Sequence, residues 1–403
     1  MKLNFIALAV PLFIFFMLLE YWVSVKKNKA VYHFNEAVAN LNVGIGERLS
    51  DLLTTGAFFY VFTWVHQHFA LFTIPASLLT WFLLFLLTDL IWYWYHRFGH
   101  EVNLFWSVHV VHHQSEDFNF TVSARITVFQ AVARGLFWSV LPLIGFDPGM
   151  ITVLLLIHGA YPFFTHTQLI GKLGWLEKIL VTPSHHRVHH SSNPAYLDKN
   201  YGDVLIIWDK IFGTFKEEQE VPVYGLTSPL KSHSFLWQHF HFILEMMVAF
   251  RNAKGLFNKL RVLFGKPDDI DPRIRPYLER KLLSRNELAE QTPWLKQFIF
   301  LQTLFTLLLL FVIILFEWYF SPVQLLMAAL FIVLSVISTG AMLEQKRWVF
   351  YLDFARLGLA AIVLFSFFPS VYLLVTVLLV LGLILTFYKT IQHRYVSLLY
   401  AYT

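Results

Sequence analysis

Runs of about twenty apolar residues recur along this chain, beginning with LNFIALAVPLFIFFMLLEYWVSV at residues 3–25. A helix of that length crosses a hydrocarbon core of roughly 30 Å. Inside lipid the backbone must satisfy its own polar groups, which a helix does within each run. Composition agrees. Of the 403 residues, 57% are hydrophobic and 14% charged, whereas ordinary globular chains are about half apolar and about a quarter charged. The expected fold class is therefore all-α, a polytopic membrane helix bundle.

Nine spans are predicted. The first runs into KKNK at 26–29, the reverse of the charge order in a cleavable leader, so it reads as a retained helix with its N-terminus outside. Others are expected at 51–70 and 76–96. The block 126–166 is long enough for two crossings around the turn GFDPG at 145–149. Four more follow at 295–316, 322–341, 347–366 and 368–388. This count puts 26–29, 96–125, 166–293, 344–347 and 389–403 on the cytoplasmic face, and these segments carry nearly all the Lys and Arg. Two regions are expected: 1–293, membrane-embedded and catalytic with a cytoplasmic cap at 167–293, and 294–403, a four-helix transmembrane region. Within the cap, FHFILEMMVAFRNAKGLFNKLRVLFGK mixes apolar faces with basic residues. That pattern suits a helix on the membrane surface or an amphipathic helix packed on the protein.

The chain has no cysteine. Disulfides, thiolate catalysis, Cys-ligated zinc and Cys-held iron–sulfur clusters are excluded. The formal charge of +5 is accounted for by cytoplasmic loops and anionic headgroups, and implies a membrane rather than nucleic acid as partner.

Eleven of the eighteen histidines fall between residues 96 and 190. HRFGH supplies His96 and His100, and HVVHH supplies His109, His112 and His113. His158 and His166 stand apart, and TPSHHRVHH supplies His185, His186, His189 and His190. Residues three or four apart share a helix face, so each group can aim two or three imidazoles at one point. All the groups fall at the cytoplasmic mouth of the predicted bundle. Eight or nine convergent imidazoles exceed what one ion takes, and two ions fit the count. Imidazole suits iron, zinc, copper or nickel alike. A His-rich di-metal site beside lipid suggests O₂ chemistry on a lipid. A His-lined metal transporter or sensor is the reading from a different class. The isolated His33, His66, His68 and His393 read as interfacial side chains.

These groups, H-x3-H followed by two H-x2-H-H, resemble the fatty acid hydroxylase/sterol desaturase superfamily of integral-membrane di-iron oxygenases. The words HRFGHEVNLFWSVHVVHHQSEDFNFTVSAR and THTQLIGKLGWLEKILVTPSHHRVHHSSNPAYLDKNYGDVLIIWDKIFGTF are most similar, within it, to the alkylglycerol monooxygenases. The resemblance implies two Fe ions held by His96, His100, His109, His112, His113, His166, His186, His189 and His190, with O₂ as co-substrate. It makes Glu101 the candidate catalytic carboxylate. His185, His158, Asn193, Asp198 and Asn200 are expected to support the ligands. The implied reaction hydroxylates a lipid beside an ether oxygen, releasing an aldehyde and glycerol, with a tetrahydropterin or a redox protein as electron donor. A sterol or carotenoid desaturase/hydroxylase of the same superfamily is the neighbouring alternative. The expected location is a bacterial inner membrane or the endoplasmic reticulum, with the site facing the cytoplasm. Oligomeric state is not addressed by any sequence feature.

Overall fold

The computed structural model describes residues 2–283 and 290–400, and among them the chain is helical, with only two isolated bridges, Leu180–Leu205 and Ser191–Tyr224, outside helices and loops. It divides into two compact units. One holds the described parts of 1–15, 232–237 and 285–403, and the other holds 16–231 and 238–284.

The second unit carries the histidines. Its helices are α1 (Ala9–Lys26), from Phe16 onward, α2 (Phe34–Phe69), α3 (Leu78–Glu101), α4 (Asn103–His109), α5 (Phe120–Ser123), α6 (Gln130–Trp138), α7 (Val140–Ile144), α8 (Pro148–Thr165), α9 (Pro183–His189), α10 (Ile207–Phe212), α11 (Phe235–Asn252), from Gln238 onward, α12 (Leu256–Phe264) and α13 (Ile274–Leu282). Local chemistry sets where the long ones start. Ser77 and Thr80 form a reciprocal capping box at the head of α3. Asp147 accepts the amides of Gly149 and Met150 at the head of α8, with Pro148 in the first turn where its missing N–H costs nothing. The expected turn at 145–149 is therefore present. Its Gly145 has φ +122°, and a Cβ there would stand 1.9 Å from the Phe72 carbonyl oxygen. Amides of Leu71 and Phe72 bond the carbonyls of Leu143 and Ile144, so α3 and α8 start at one end of the unit. Both then run to the other end, where their histidines lie. Phe62, Leu84, Tyr95, Trp138, Leu141, Phe146, Met150, Ile151 and Leu154 pack between α2, α3, α6, α7 and α8 as the apolar core.

The first unit contains α14 (Pro293–Leu315), α15 (Pro322–Leu343), α16 (Val349–Phe367), α17 (Val371–Thr386) and α18 (Tyr388–Tyr400). Thr292–Pro293 and Ser321–Pro322 repeat the cap-then-proline start. Inside it Asp353 bonds Ser338, Arg356 and Tyr395, and Gln302 joins through Arg356 and Thr339.

Nine spans are not found among the described residues. There, six helices are long and apolar enough to cross a membrane, or seven if the pair α17–α18, bent by 85°, counts as one. Three expected spans account for the difference. The segment 51–70 is the end of a 36-residue helix whose first half buries Asn40, Asn42 and Glu47. The first crossing in 126–166 is the short apolar stretch Gln130–Ile144, about 22 Å long at 1.5 Å per residue. The last is the 16-residue α17. The amphipathic segment of the cap is likewise two helices, α11 and α12, broken before Gly255. α12 exposes Leu256, Phe257, Leu260 and Phe264.

Candidate metal centre

Nine histidines from four segments converge at the end of α3 and α8. Each offers a ligand nitrogen to one of two groups, His96, His100, His109, His113 and His189, or His112, His166, His186 and His190. Within each group these nitrogens lie within 4.8 Å of one another. They are the nine implied by the resemblance, but the triplets divide. In each H-x2-H-H the outer pair joins one group and the middle histidine the other. His109 and His113 sit with His189, and His186 and His190 sit with His112.

Local backbone geometry makes this division. His96 and His100 are one turn apart at the end of α3. Gly99 lies between them, and a Cβ there would come 3.3 Å from the His109 ring. The chain breaks at Val102, whose extended backbone turns α4 back toward α3. After His109 the helix tightens into the 3-10 turn Val110–Gln114. α9 is seven residues long, with Pro183 in its first turn and every residue buried. Arg187, between the ligands, donates to the carbonyls of Thr167 and Ile170 and pairs with Glu218, tying α9 to the strand of chain that follows His166.

Tautomers follow from the backbone. Nδ1–H donates to Tyr201 O from His96 at 2.8 Å, to Arg125 O from His112 at 3.1 Å, to Pro162 O from His166 at 2.6 Å and to Lys199 O from His189 at 3.0 Å. In a neutral ring that leaves Nε2 a bare acceptor. Yet His112 Nε2 and His166 Nε2 face each other at 3.2 Å. With both Nδ1 protons so placed neither has a proton to share, and a cation between them would satisfy both. Other Nε2–Nε2 separations are 3.0 Å for His96–His109, His109–His113 and His166–His186, and 3.1 Å for His100–His113. Two ligands about 2.1 Å from one ion, at angles of roughly 90–109°, lie about 3.0–3.4 Å apart. Nε2 of His189 and of His190 is buried without a hydrogen-bond partner. The donor set fits transition metal ions.

Electrostatics agree. Burial, followed by the neighbouring imidazoles, holds His109, His112, His113, His186, His189 and His190 well below the ordinary histidine range, and burial pushes His166 down to about 4. Metal binding needs neutral imidazole, and these rings are neutral at pH 7 without an ion.

The remaining expected site residues lie around this core. Glu101 belongs to neither group. Its Oε1 accepts Arg97 Nε at 3.0 Å, one turn back on α3. Asp198 Oδ1 is 3.8 Å from His100 Nδ1, on an exposed side chain. His185 points away from the groups, with Nδ1 accepting the Thr182 amide and the ring against Phe215. Asn200 bonds the His185 carbonyl and both backbone groups of Lys216, closing the loop after α9. Asn193 is engaged with Ser191, Val221 and Val223, away from the imidazoles. His158 pairs with Asp203 at 2.7 Å.

Arg125 was not evident from sequence. Its guanidinium is fully buried and donates to Val111 O, Asn40 Oδ1 and Gln114 Oε1 at 2.7–2.9 Å, while its carbonyl receives His112. One residue thus grips the 3-10 turn and orients a ring on it, and burial lowers its pKa to about 10. Gln114 in turn donates to His241, which pairs with Glu245. The signal in the sequence was an arginine placed in a polar stretch close after HVVHH, a position equally suited to solvent.

A family model for fatty acid hydroxylase matches residues 81–214, the stretch that holds all nine imidazoles. Alkylglycerol monooxygenase of Homo sapiens is 37% identical over 85% of this chain and 78% of its own length. That of Danio rerio is 33% identical over 84% and 77%. An ornithine lipid hydroxylase of Rhizobium tropici is 32% identical over 30% of this chain and 38% of its own. No solved structure matches significantly. With close relatives matched along most of both chains, and a helix bundle of membrane-spanning length around the histidines, the chain belongs to the alkylglycerol monooxygenase family and is an integral-membrane lipid monooxygenase with a fatty acid hydroxylase domain.

Proposed function

We propose that the two histidine groups each hold one iron ion, and that the enzyme hydroxylates the carbon beside the ether oxygen of an alkylglycerol. The observation that carries the reading is the facing pair of proton-free Nε2 atoms on His112 and His166, each fixed by a backbone carbonyl. The ions would bind O₂ and pass it the donor's electrons, so that it can attack the C–H bond beside the ether oxygen. Hydroxylation consumes O₂, two electrons and two protons, and yields a hemiacetal and water. The hemiacetal O–H proton then passes to the glycerol oxygen as the C–O bond breaks, giving an aldehyde and glycerol. The two electrons come from a tetrahydropterin or a redox protein.

The chain's own residues orient and insulate. Tyr201, Arg125, Pro162 and Lys199 fix four rings by their carbonyls. Phe118 stacks on His166 and Tyr224, closing one side of the four-histidine group to water. Glu101 stands at the end of α3 beside the five-histidine group, within reach of a proton-transfer role once its bond to Arg97 opens. We read the site as cytoplasmic because the segments of its own unit that follow α1 and α8, KKNK at 26–29 and the loop after His166, are rich in Lys and Arg.

Labelled alkylglycerol supplied with tetrahydropterin to the purified enzyme should give labelled aldehyde, with two irons per chain. A hydroxylated sterol or acyl chain without aldehyde would move the enzyme to another branch of the superfamily. Protein that takes up neither iron nor zinc would refute the metal centre.

A further inference from the structure

A second buried polar group lies deeper on the two helices that end in histidines. Asp89 precedes His96 by seven residues on α3, and His158 precedes His166 by eight, so the group sits roughly 10–12 Å farther along the helix axes. Asp203 joins them from the loop after α9. Asp89 and His158 are 0% exposed and Asp203 is 4%. His158 Nδ1 donates to Asp203 Oδ2 at 2.7 Å and lies 3.5 Å from Asp89 Oδ1. Asp89 accepts three further donors, the amides of Val204 and Leu205 at 3.0 and 3.1 Å and Trp208 Nε1 at 2.9 Å.

The loop so held is also held from its other side. Asp209 accepts the amides of Tyr201 and Gly202 at 2.7 and 2.8 Å and the Thr214 hydroxyl at 2.7 Å. Amides 201, 202, 204 and 205 therefore all end on two buried carboxylates, and the residue between them bonds His158. From this same loop the carbonyls of Lys199 and Tyr201 receive His189 and His96. Both rings belong to the five-histidine group. The corresponding partners in the four-histidine group, the Arg125 and Pro162 carbonyls, come from elsewhere.

We infer that Asp89, His158 and Asp203 are positioning residues that hold 199–205 as a shelf orienting one ion site and not the other. Burying a carboxylate is costly unless its bonds offset the lost hydration, and Asp89 and Asp209 recover theirs from the amides of a loop whose carbonyls aim two rings. Asparagine in place of Asp89 keeps the shape but turns an NH₂ toward one of its donors, and in place of Asp203 it replaces the charge-assisted bond from His158 by a neutral one, so in either variant the shelf shifts. Loss of such an orienting partner weakens metal affinity on the order of 10–100-fold. This inference rests on the two-ion reading above.

The test is zinc binding to full-length protein in detergent, read as metal per chain and as release to a competing chelator. Wild type should hold two zinc ions, and a wild type holding fewer would count against the two-ion reading before any variant is compared. Asp89→Asn and Asp203→Asn should each keep one zinc with unchanged release, while the other is released on the order of 10–100 times faster. His96 and His189 would then be the loosened ligands, which a cobalt-substituted spectrum changed by half its intensity would register. Parallel weakening of both ions would mean a general structural role and overturn the inference. Two unaltered ions would overturn it too, as would a third zinc in wild type that Asp203→Asn removes. Should Asp89→Asn fail to fold, Asp203→Asn leaves the Asp89 amide contacts in place and carries the comparison.

Discussion

Removing the metal should make the protein acid-labile in a way that counts its buried imidazoles. A histidine in the unfolded chain takes up its proton near pH 6.5. His166 in the folded, metal-free chain does so only at about 4, because burial opposes the charge. Above about pH 7 both forms are neutral and the ring has no effect. As pH falls between 6.5 and about 4, the unfolded chain binds a proton that the folded chain does not, so folding stability declines. At about 1.4 kcal/mol per pH unit, His166 alone withdraws roughly 3 kcal/mol by pH 4. His109, His112, His113, His186, His189 and His190 are shifted in the same direction, so their effects reinforce it. Chelator-treated protein in detergent, melted by tryptophan fluorescence from pH 8 to pH 5, should show a flat midpoint above about pH 7 and a steep fall below. Metal-loaded protein should hold its midpoint to lower pH, since bound ions keep the rings neutral. His166→Asn should reduce the steepness by one proton's share. A metal-free midpoint that is level from pH 8 to pH 5, or that rises in acid, would refute the burial argument.

Three further outcomes follow from particular contacts. His189→Ala should abolish turnover while leaving expression and solubility intact, and detectable turnover in product analysis would remove His189 from the site. Arg125→Met strands the buried acceptors of Val111, Asn40 and Gln114; at about 1–3 kcal/mol for each unpaired group, the thermal midpoint should drop sharply, and a wild-type midpoint would show that these bonds are dispensable. Gly145→Ala forces a Cβ against the Phe72 carbonyl at a φ of +122°, so it should destabilise by more than ~1 kcal/mol, whereas Gly159→Ala in α8, where a Cβ meets nothing within 4 Å, should leave the thermal midpoint level or raise it.

The part of the site that sequence made legible is the part governed by helical repeat. His96 and His100, or His186 and His190, are four apart, and a single turn brings such pairs together whatever surrounds them. The turn at GFDPG was equally readable, since its Gly and Pro punctuate the apolar block. The division of nine rings into five and four was not readable. It depends on α4 tightening after His109 and on α9 meeting α4 from a segment some seventy residues later. Span counting failed for a related reason. Hydropathy sees the apolar end of α2 but not that its polar beginning continues in the same helix, with Asn40 buried against Ser115 and Thr121. Motif position says nothing of the contacts Glu101 and His185 make, a salt bridge to Arg97 and a cap at Thr182, because these depend on the local turn of each helix.

The exchange of middle histidines has a consequence for assembly. Were each H-x2-H-H confined to one ion, either site could form on one segment and the other wait. Instead the 109–113 segment lends His112 to the group built on His186 and His190, and α9 lends His189 to the group built on His96, His100, His109 and His113. Neither group is complete until both segments have docked, so folding assembles the two together. The shelf at 199–205 breaks that symmetry, because its carbonyls aim rings of the five-histidine group alone. Crossed segments thus complete both histidine groups in one folding event, and a loop anchored deeper on α3 and α8 orients one group alone.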